Sequence, residues 1–392
     1  MPREIEEHIE GAIMLAMVTG RLGGMVDDLA SAGRDYPDDS RGAHYGALAA
    51  FFEDGKELDA RRELMRALSL RPRATSGILW RTVYLLRSTG FDVAAAGLFA
   101  RAEAQKDQVS PILADVSSVL FLTIEPPYRD PERAEPLCVA AQEGGAPNPL
   151  LPLIRAHAVF GRGKTAEAAE KFDGLAMAAA ELGDEAMTEL VRDRARRCRE
   201  GTARPDCMAR FPVWGVVISE FFRRLNREEV DWRASWDPRA AEQPASVLDQ
   251  IADDEDSSVR PERAAVTFFH AARAWAAAGD GERRLASLRR GFQVAEHAGL
   301  DVRALLARTY ARALVESDPT RAEEVAKGSI APAAPGTTEY RTQDELADGY
   351  LIIAEAQLKL GKKKEAAASL KKGLDLAPYD RRPFEALKAR LE

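Results

Sequence analysis

GKELDARRELMRALSLRP, residues 55 to 72, lies without a gap on GKKKEAAASLKKGLDLAP, residues 361 to 378. The superposition sets Gly55 on Gly361, Ala60 on Ala366, Leu64 on Leu370 and Pro72 on Pro378. Fixed residue types at fixed spacing, at opposite ends of one chain, mark an internal repeat, and a repeat decides the fold before any other pattern does. Each copy opens on a glycine able to end a preceding helix. It continues with apolar residues at helical spacing and stops at a proline that cannot prolong a helix.

Further copies spread outward from this pair. ASLRRGF (286 to 292) recurs as ASLKKGL (368 to 374), each a short way after a glycine, Gly279 or Gly361. TGFDVAAAGLFARA holds Gly90, Ala95, Phe99 and Ala102 in the same relative places. DPERAE (130 to 135) and DPTRAE (318 to 323) open two more second helices, with Asp placed to cap free amides and Pro in the first turn. GRGKTAEAAEKF (161 to 172) carries Gly163-Lys164-Thr165, close to a phosphate-cradling loop. Such a loop needs a buried strand before it, whereas LPLIRAHAVF mixes polar and apolar residues at helical spacing. The repeat already accounts for Gly163, Ala168 and Phe172, which fall on Gly361, Ala366 and Leu370, and leaves Lys164 as a solvated turn residue.

On these residues the chain resembles the tetratricopeptide repeat family, whose unit of about 34 residues is a helix-turn-helix with small residues where two helices meet. The family positions fall on Tyr350, Ala354, Gly361, Ala366, Leu370, Gly373 and Pro378 in the last unit, with Gly373 where the family usually has alanine. In the earliest clear unit they fall on Leu48, Gly55, Ala60, Leu64, Ala67 and Pro72. Seven units are expected, beginning near residues 41, 76, 115, 149, 265, 303 and 347, with a degenerate one ending at Pro37. RPFEALKARLE sets Phe384, Leu387 and Leu391 on one face and reads as a capping helix. The resemblance implies an all-α fold, an α-solenoid of stacked antiparallel helix pairs wound into a right-handed superhelix. Residues 1–200 form an N-terminal array and 261–392 a C-terminal one. Residues 201–260 are either diverged repeats or a hinge with an acidic surface loop; helical apolar spacing from Val213 to Leu225 favours diverged repeats.

Composition agrees with helices and restricts function. Of the 392 residues 46% are hydrophobic but only 7% aromatic, and alanine dominates the apolar share. A net charge of -8 argues against general affinity for nucleic acid. Glu4, Glu6 and Glu7 precede the first apolar run, where a secretory signal needs positive charge. No stretch reaches the roughly 20 apolar residues of a membrane span. A soluble, cytoplasmic protein is expected. Cys138, Cys198 and Cys207 are read as inert, and His8, His44, His157, His270 and His297 show no metal-binding pair. Neither catalytic nor cofactor-binding motifs emerge, so no enzyme activity, cofactor or metal is expected.

The resemblance places partner recognition in a groove lined by the first helix of each unit. Carried over residue by residue, the groove positions are Tyr45 and Phe52; Trp80, Tyr84 and Arg87; Leu153, His157 and Phe160; Phe269 and Arg273; and Leu351, with Glu355 beside it. Tyr45, Trp80, Leu153, Phe269 and Leu351 recur at one position. They are either a stripe for an apolar or amphipathic segment of another protein or packing between neighbouring helices. The only two asparagines, Asn148 and Asn226, fall off the groove positions, which disfavours carboxylate clamps and backbone ladders built on amides. Arg192, Arg194, Arg196, Arg197 and Arg199 could meet an acidic partner or the acidic stretch Asp253 to Asp256, while the lysines of 362 to 364, 371 and 372 read as a solvated outer face. The function expected is a non-catalytic scaffold or adaptor; the alternative is a regulatory or sensor array that changes shape on binding a peptide or controls a transcription or secretion machine.

Overall fold

The computed structural model describes all residues except 20–23, 52–55, 70–75, 106–108, 147, 149, 203–241 and 255–258. Phe52, Gly55, Pro72, Cys207, Asn226 and the helix expected over Val213 to Leu225 lie outside the described residues. Among those described, every regular element is helical. In chain order the helices are α1 (Arg3–Thr19), α2 (Met25–Asp35), α3 (Ser40–Phe51), α4 (Glu57–Ser69), α5 (Ser76–Ser88), α6 (Asp92–Ala104), α7 (Pro111–Thr123) and α8 (Pro131–Glu143). They continue with α9 (Leu151–Gly161), α10 (Thr165–Glu181), α11 (Glu185–Arg199), α12 (Glu242–Asp254), α13 (Pro261–Ala278) and α14 (Gly281–Val294). The last five are α15 (Leu300–Leu314), α16 (Pro319–Ser329), α17 (Gln343–Lys359), α18 (Lys363–Asp375) and α19 (Arg382–Leu391). The seven expected first helices are α3, α5, α7, α9, α13, α15 and α17, each starting within four residues of its expected position.

The turns explain why the hairpins close where they do. Gly163, Gly279 and Gly361 hold φ of +78°, +82° and +76°, a left-handed conformation that costs any other L-residue about 1 to 2 kcal/mol. Asp130 and Asp318 accept the amides of Arg133 and Arg321, each at 3.0 Å, as their Asp-Pro starts require. Two glycines close together in sequence should therefore respond oppositely to alanine. Gly163→Ala is expected to lose about 1 kcal/mol, whereas Gly174→Ala, inside α10 with open space where its methyl would go, should gain about 0.5 to 1 kcal/mol. Urea denaturation of both variants gives the two signs.

The chain divides into two compact units: residues 1–89, 102–123 and 129–237, and residues 90–101, 124–128 and 238–392. In the first, α2 packs on α3, α3 on α4, and α7 to α11 each on the next. The repeat positions are its core: Ala60, Leu64, Ala168 and Phe172 are all buried. In the second, α12 to α19 pack each on the next, and Leu288 and Leu370 hold the position of Leu64 and Phe172. Gly291 and Gly373, at one repeat position, both sit under a neighbour. A methyl would stand 2.9 Å from Phe268 Cβ at Gly291, and 2.7 Å from the Phe384 ring at Gly373. Gly373 thus lets α19 settle, with Phe384 and Leu387 buried.

Candidate functional site

Carried-over groove residues of the first unit lie in two groups. Tyr45 of α3 donates to Glu10 Oε1 of α1 at 2.6 Å, and Arg81 of α5 pairs with the same carboxylate. The Arg81 guanidinium lies 5.0 Å from the centre of the Tyr45 ring and 5.2 Å from that of Trp80. Burial first, then the Glu10 carboxylate, raise the Tyr45 hydroxyl pKa above the usual phenol range. Tyr84 is half-buried. On α9 Leu153, His157 and Phe160 are buried, as is Arg87 on α5. His157 meets the Phe172 ring edge-on at 5.1 Å. Asn148 joins α7 to α9 by donating to Asp115 Oδ1 at 2.8 Å while accepting from the Leu150 amide. Burial pushes Asp115 up to about 6 against that bond and the Arg87 charge.

Burial, and then the positive charge of Arg194, hold the His157 pKa well below 6.5, so the folded imidazole stays neutral. The unfolded imidazole gains a proton as pH falls through about 6.5 and the folded one does not. Its contribution is full above pH 6.5 and is lost as the pH falls below it, by up to about 1.4 kcal/mol per pH unit. Asp115 has the opposite sign, so the comparison is between wild type and His157→Leu. The variant should lose less stability than wild type between pH 6.5 and 5 in urea titrations.

In the second unit, α13, α15 and α17 carry buried charged residues. Arg273 pairs with Asp92 at 3.1 Å and stands over the Phe269 ring at 5.6 Å. Arg308 reaches Glu345 at 2.7 Å and Asp348 at 3.6 Å. Arg312 pairs with the same Asp348 and lies 3.8 Å from Glu355. Tyr128 donates its hydroxyl to Asp348 Oδ1 at 2.9 Å. Asp344 accepts from the Tyr379 amide at 2.8 Å and pairs with Arg101. Burial works against the Arg312 charge, but Asp348 and Glu355 outweigh it and raise its pKa. Burial also raises Asp344 and Glu355. Gly90, at φ +90°, admits Phe269 where a methyl would stand 2.5 Å from the ring. Leu351 is fully buried.

Nine of the ten described residues expected to line a groove are thus buried. Sequence reasoning found Phe269, Arg273 and Glu355 but missed Arg308, Arg312, Asp344 and Asp348. Their signal was legible: like charges four apart, Arg308 and Arg312 on α15 and Asp344 and Asp348 on α17.

Several of the other charged candidates are paired. Arg196 pairs with Asp193 and Glu200, Arg197 with Asp193, and Arg199 with Asp173, while Asp253 pairs with Arg290. Lys362 reaches Glu323 at 2.8 Å, and Lys363, Lys364, Lys371 and Lys372 are exposed. At the GRGKT loop, Gly163 and Lys164 donate their amides to Phe160 and Val159 of the preceding helix, so these amides do not form a phosphate cradle. The Lys164 ammonium pairs with Glu167 at 3.2 Å. Cys138 and Cys198 are buried, and burial pushes the Cys138 thiol up to about 12. Among the described residues no group of His, Cys, Asp or Glu is arranged to hold a metal, and no helix is long and apolar enough to cross a membrane.

Over the described residues the structure is all-helical, with most helices of each unit packed on the next and a cluster of paired charges in the second unit. No family model matches the chain, and no curated protein matches it significantly.

Proposed function

We propose that the protein is a non-catalytic scaffold of the tetratricopeptide type, a right-handed array of helix pairs that holds a segment of another protein. One observation carries this reading: separated hairpins repeat one turn and one packing position, Gly163, Gly279 and Gly361 in the left-handed region, then Phe172, Leu288 and Leu370 buried. Equivalent hairpins stacked on one another build a continuous surface, and such surfaces serve for binding extended partners. Arg308 and Arg312 of α15 pair with Glu345 and Asp348 of α17, and Arg273 of α13 pairs with Asp92, pairings that support reading these charges as positioning helices.

The test is selection from a library of short segments tiled over the proteins of the native host, panned against the folded chain. Enrichment of segments sharing a residue pattern is expected. Enrichment no greater than that given by an unrelated helical bundle would overturn the reading.

A further inference from the structure

Residues Ile124 to Tyr128, IEPPY, belong by their contacts to the second unit. Ile124 and Tyr128, four positions apart, are 1% and 3% exposed, while Pro126 and Pro127 between them are exposed and Glu125 is half-buried. Tyr128 is held on several sides. Its hydroxyl donates to Asp348, the Tyr379 ring lies 6.0 Å away centre to centre, and the Arg312 guanidinium lies 5.9 Å from its centroid. At the rim, Glu125 accepts from Arg284 Nη2 at 3.1 and 3.2 Å. Beside the segment remains a cavity of about 50 Å³, bordered by Asp92, Phe269, Leu305 and Arg308. That is room for a few waters, far short of the several hundred Å³ of a cofactor pocket. Two buried anchors, an exposed turn between them and an ion pair at the rim are the features by which a groove holds a peptide from another chain.

We propose that this face of the second unit is a recognition site for an extended segment of a partner protein, and that Ile124 to Tyr128 is its resident occupant. The segment recognised has an aliphatic residue, an acid next to it and a tyrosine four positions after the aliphatic one. The tyrosine hydroxyl goes to Asp348 and the acid to Arg284. This inference rests on the scaffold reading and names the partner's chemistry. The resident, being tethered, competes at an effective concentration that a free peptide must match. Binding in trans is therefore weakened by the fraction of molecules in which the resident is seated, and loosening the resident restores it.

The probe is a fluorescent peptide of the sequence LTIEPPYRD, that of residues 122 to 130, titrated into the full chain. Glu125→Ala removes only the half-buried pair at the rim, and its melting curve checks that it folds. Tyr128→Ala removes the central anchor. Binding to Glu125→Ala should be about tenfold tighter than to wild type, and tighter still to Tyr128→Ala where that variant folds. Adding Arg284→Ala to Glu125→Ala should weaken the peptide again, and a peptide with alanine in place of its tyrosine should not bind. Equal binding to wild type and a folded Glu125→Ala, or binding to neither, would overturn the proposal. Host segments that are enriched by panning but do not compete with this peptide would also overturn it, while leaving the scaffold reading in place. An absence of any enrichment sinks the scaffold reading and the partner with it, whatever the synthetic peptide does.

Discussion

Replacing Gly33 by alanine is expected to lower stability by about 3 kcal/mol, although alanine in a helix interior normally improves on glycine by about 0.5 to 1 kcal/mol. The reversal follows from the crossing of α2 and α3. A methyl on Gly33 would stand 2.5 Å from Gly46 Cα and 3.0 Å from Gly46 N, both backbone atoms of the facing helix. No rotamer change relieves a contact between a Cβ and a backbone. The helices have to separate, which loosens the packing of the buried Leu29 and Ala32 beside it. Gly11→Ala in α1 is the control, because nothing lies within 4 Å of its added methyl. In urea denaturation Gly11→Ala should match or exceed wild type while the Gly33→Ala midpoint falls. A Gly33→Ala midpoint at or above wild type would disprove this close crossing.

The hairpins were legible in the sequence because their geometry restricts residue type at particular places. A left-handed turn favours glycine at 163, 279 and 361, and close approach favours Ala168 and Ala366, so the pattern recurs between separated hairpins, although Arg284 stands at the alanine position of the hairpin at Gly279. The Asp-Pro starts were legible for the same local reason. The Thr342 to Glu345 capping box, which opens α17, is equally local and was present to be read. The Gly33–Gly46 crossing was not legible, since nothing within either helix shows which neighbour will press on it. The charged cluster lies between these cases. Phe269 and Arg273 fall on positions that the tetratricopeptide resemblance assigns to a groove, but the partner of Arg273 is Asp92, far away in sequence. Pairing of Arg308 and Arg312 with α17 depends on the register of two helices, which local periodicity does not set. Tyr128 was invisible as a site residue, because it lies outside any first helix and acquires its role only through Asp348 and Tyr379.

Asp348→Ala is expected to cost about 3 to 5 kcal/mol, the penalty of removing one member of a buried ionic group. Asp348 is 3% exposed and takes the Tyr128 hydroxyl and the Arg312 guanidinium, with Arg308 at 3.6 Å. Arg308 keeps Glu345, and Arg312 keeps the longer approach to Glu355 at 3.8 Å and its place at the Tyr128 ring. The loss is therefore chiefly that of leaving Arg312 and Tyr128 desolvated, rather than the net worth of the pair. That distinction gives a second expected result. If desolvation dominates, removing the guanidinium as well should recover part of the loss, so that Asp348→Ala with Arg312→Ala costs less than the two single variants added. A coupling of about 1 to 3 kcal/mol is expected from the cycle in urea denaturation. Additive losses would show that the two groups do not sense each other and would take Asp348 out of the centre of this cluster. Asp348→Asn keeps an acceptor for Tyr128 and should lose less than the alanine variant. If asparagine proved as damaging as alanine, the negative charge alone, and not the hydrogen bond to Tyr128, would be what holds α15 to α17.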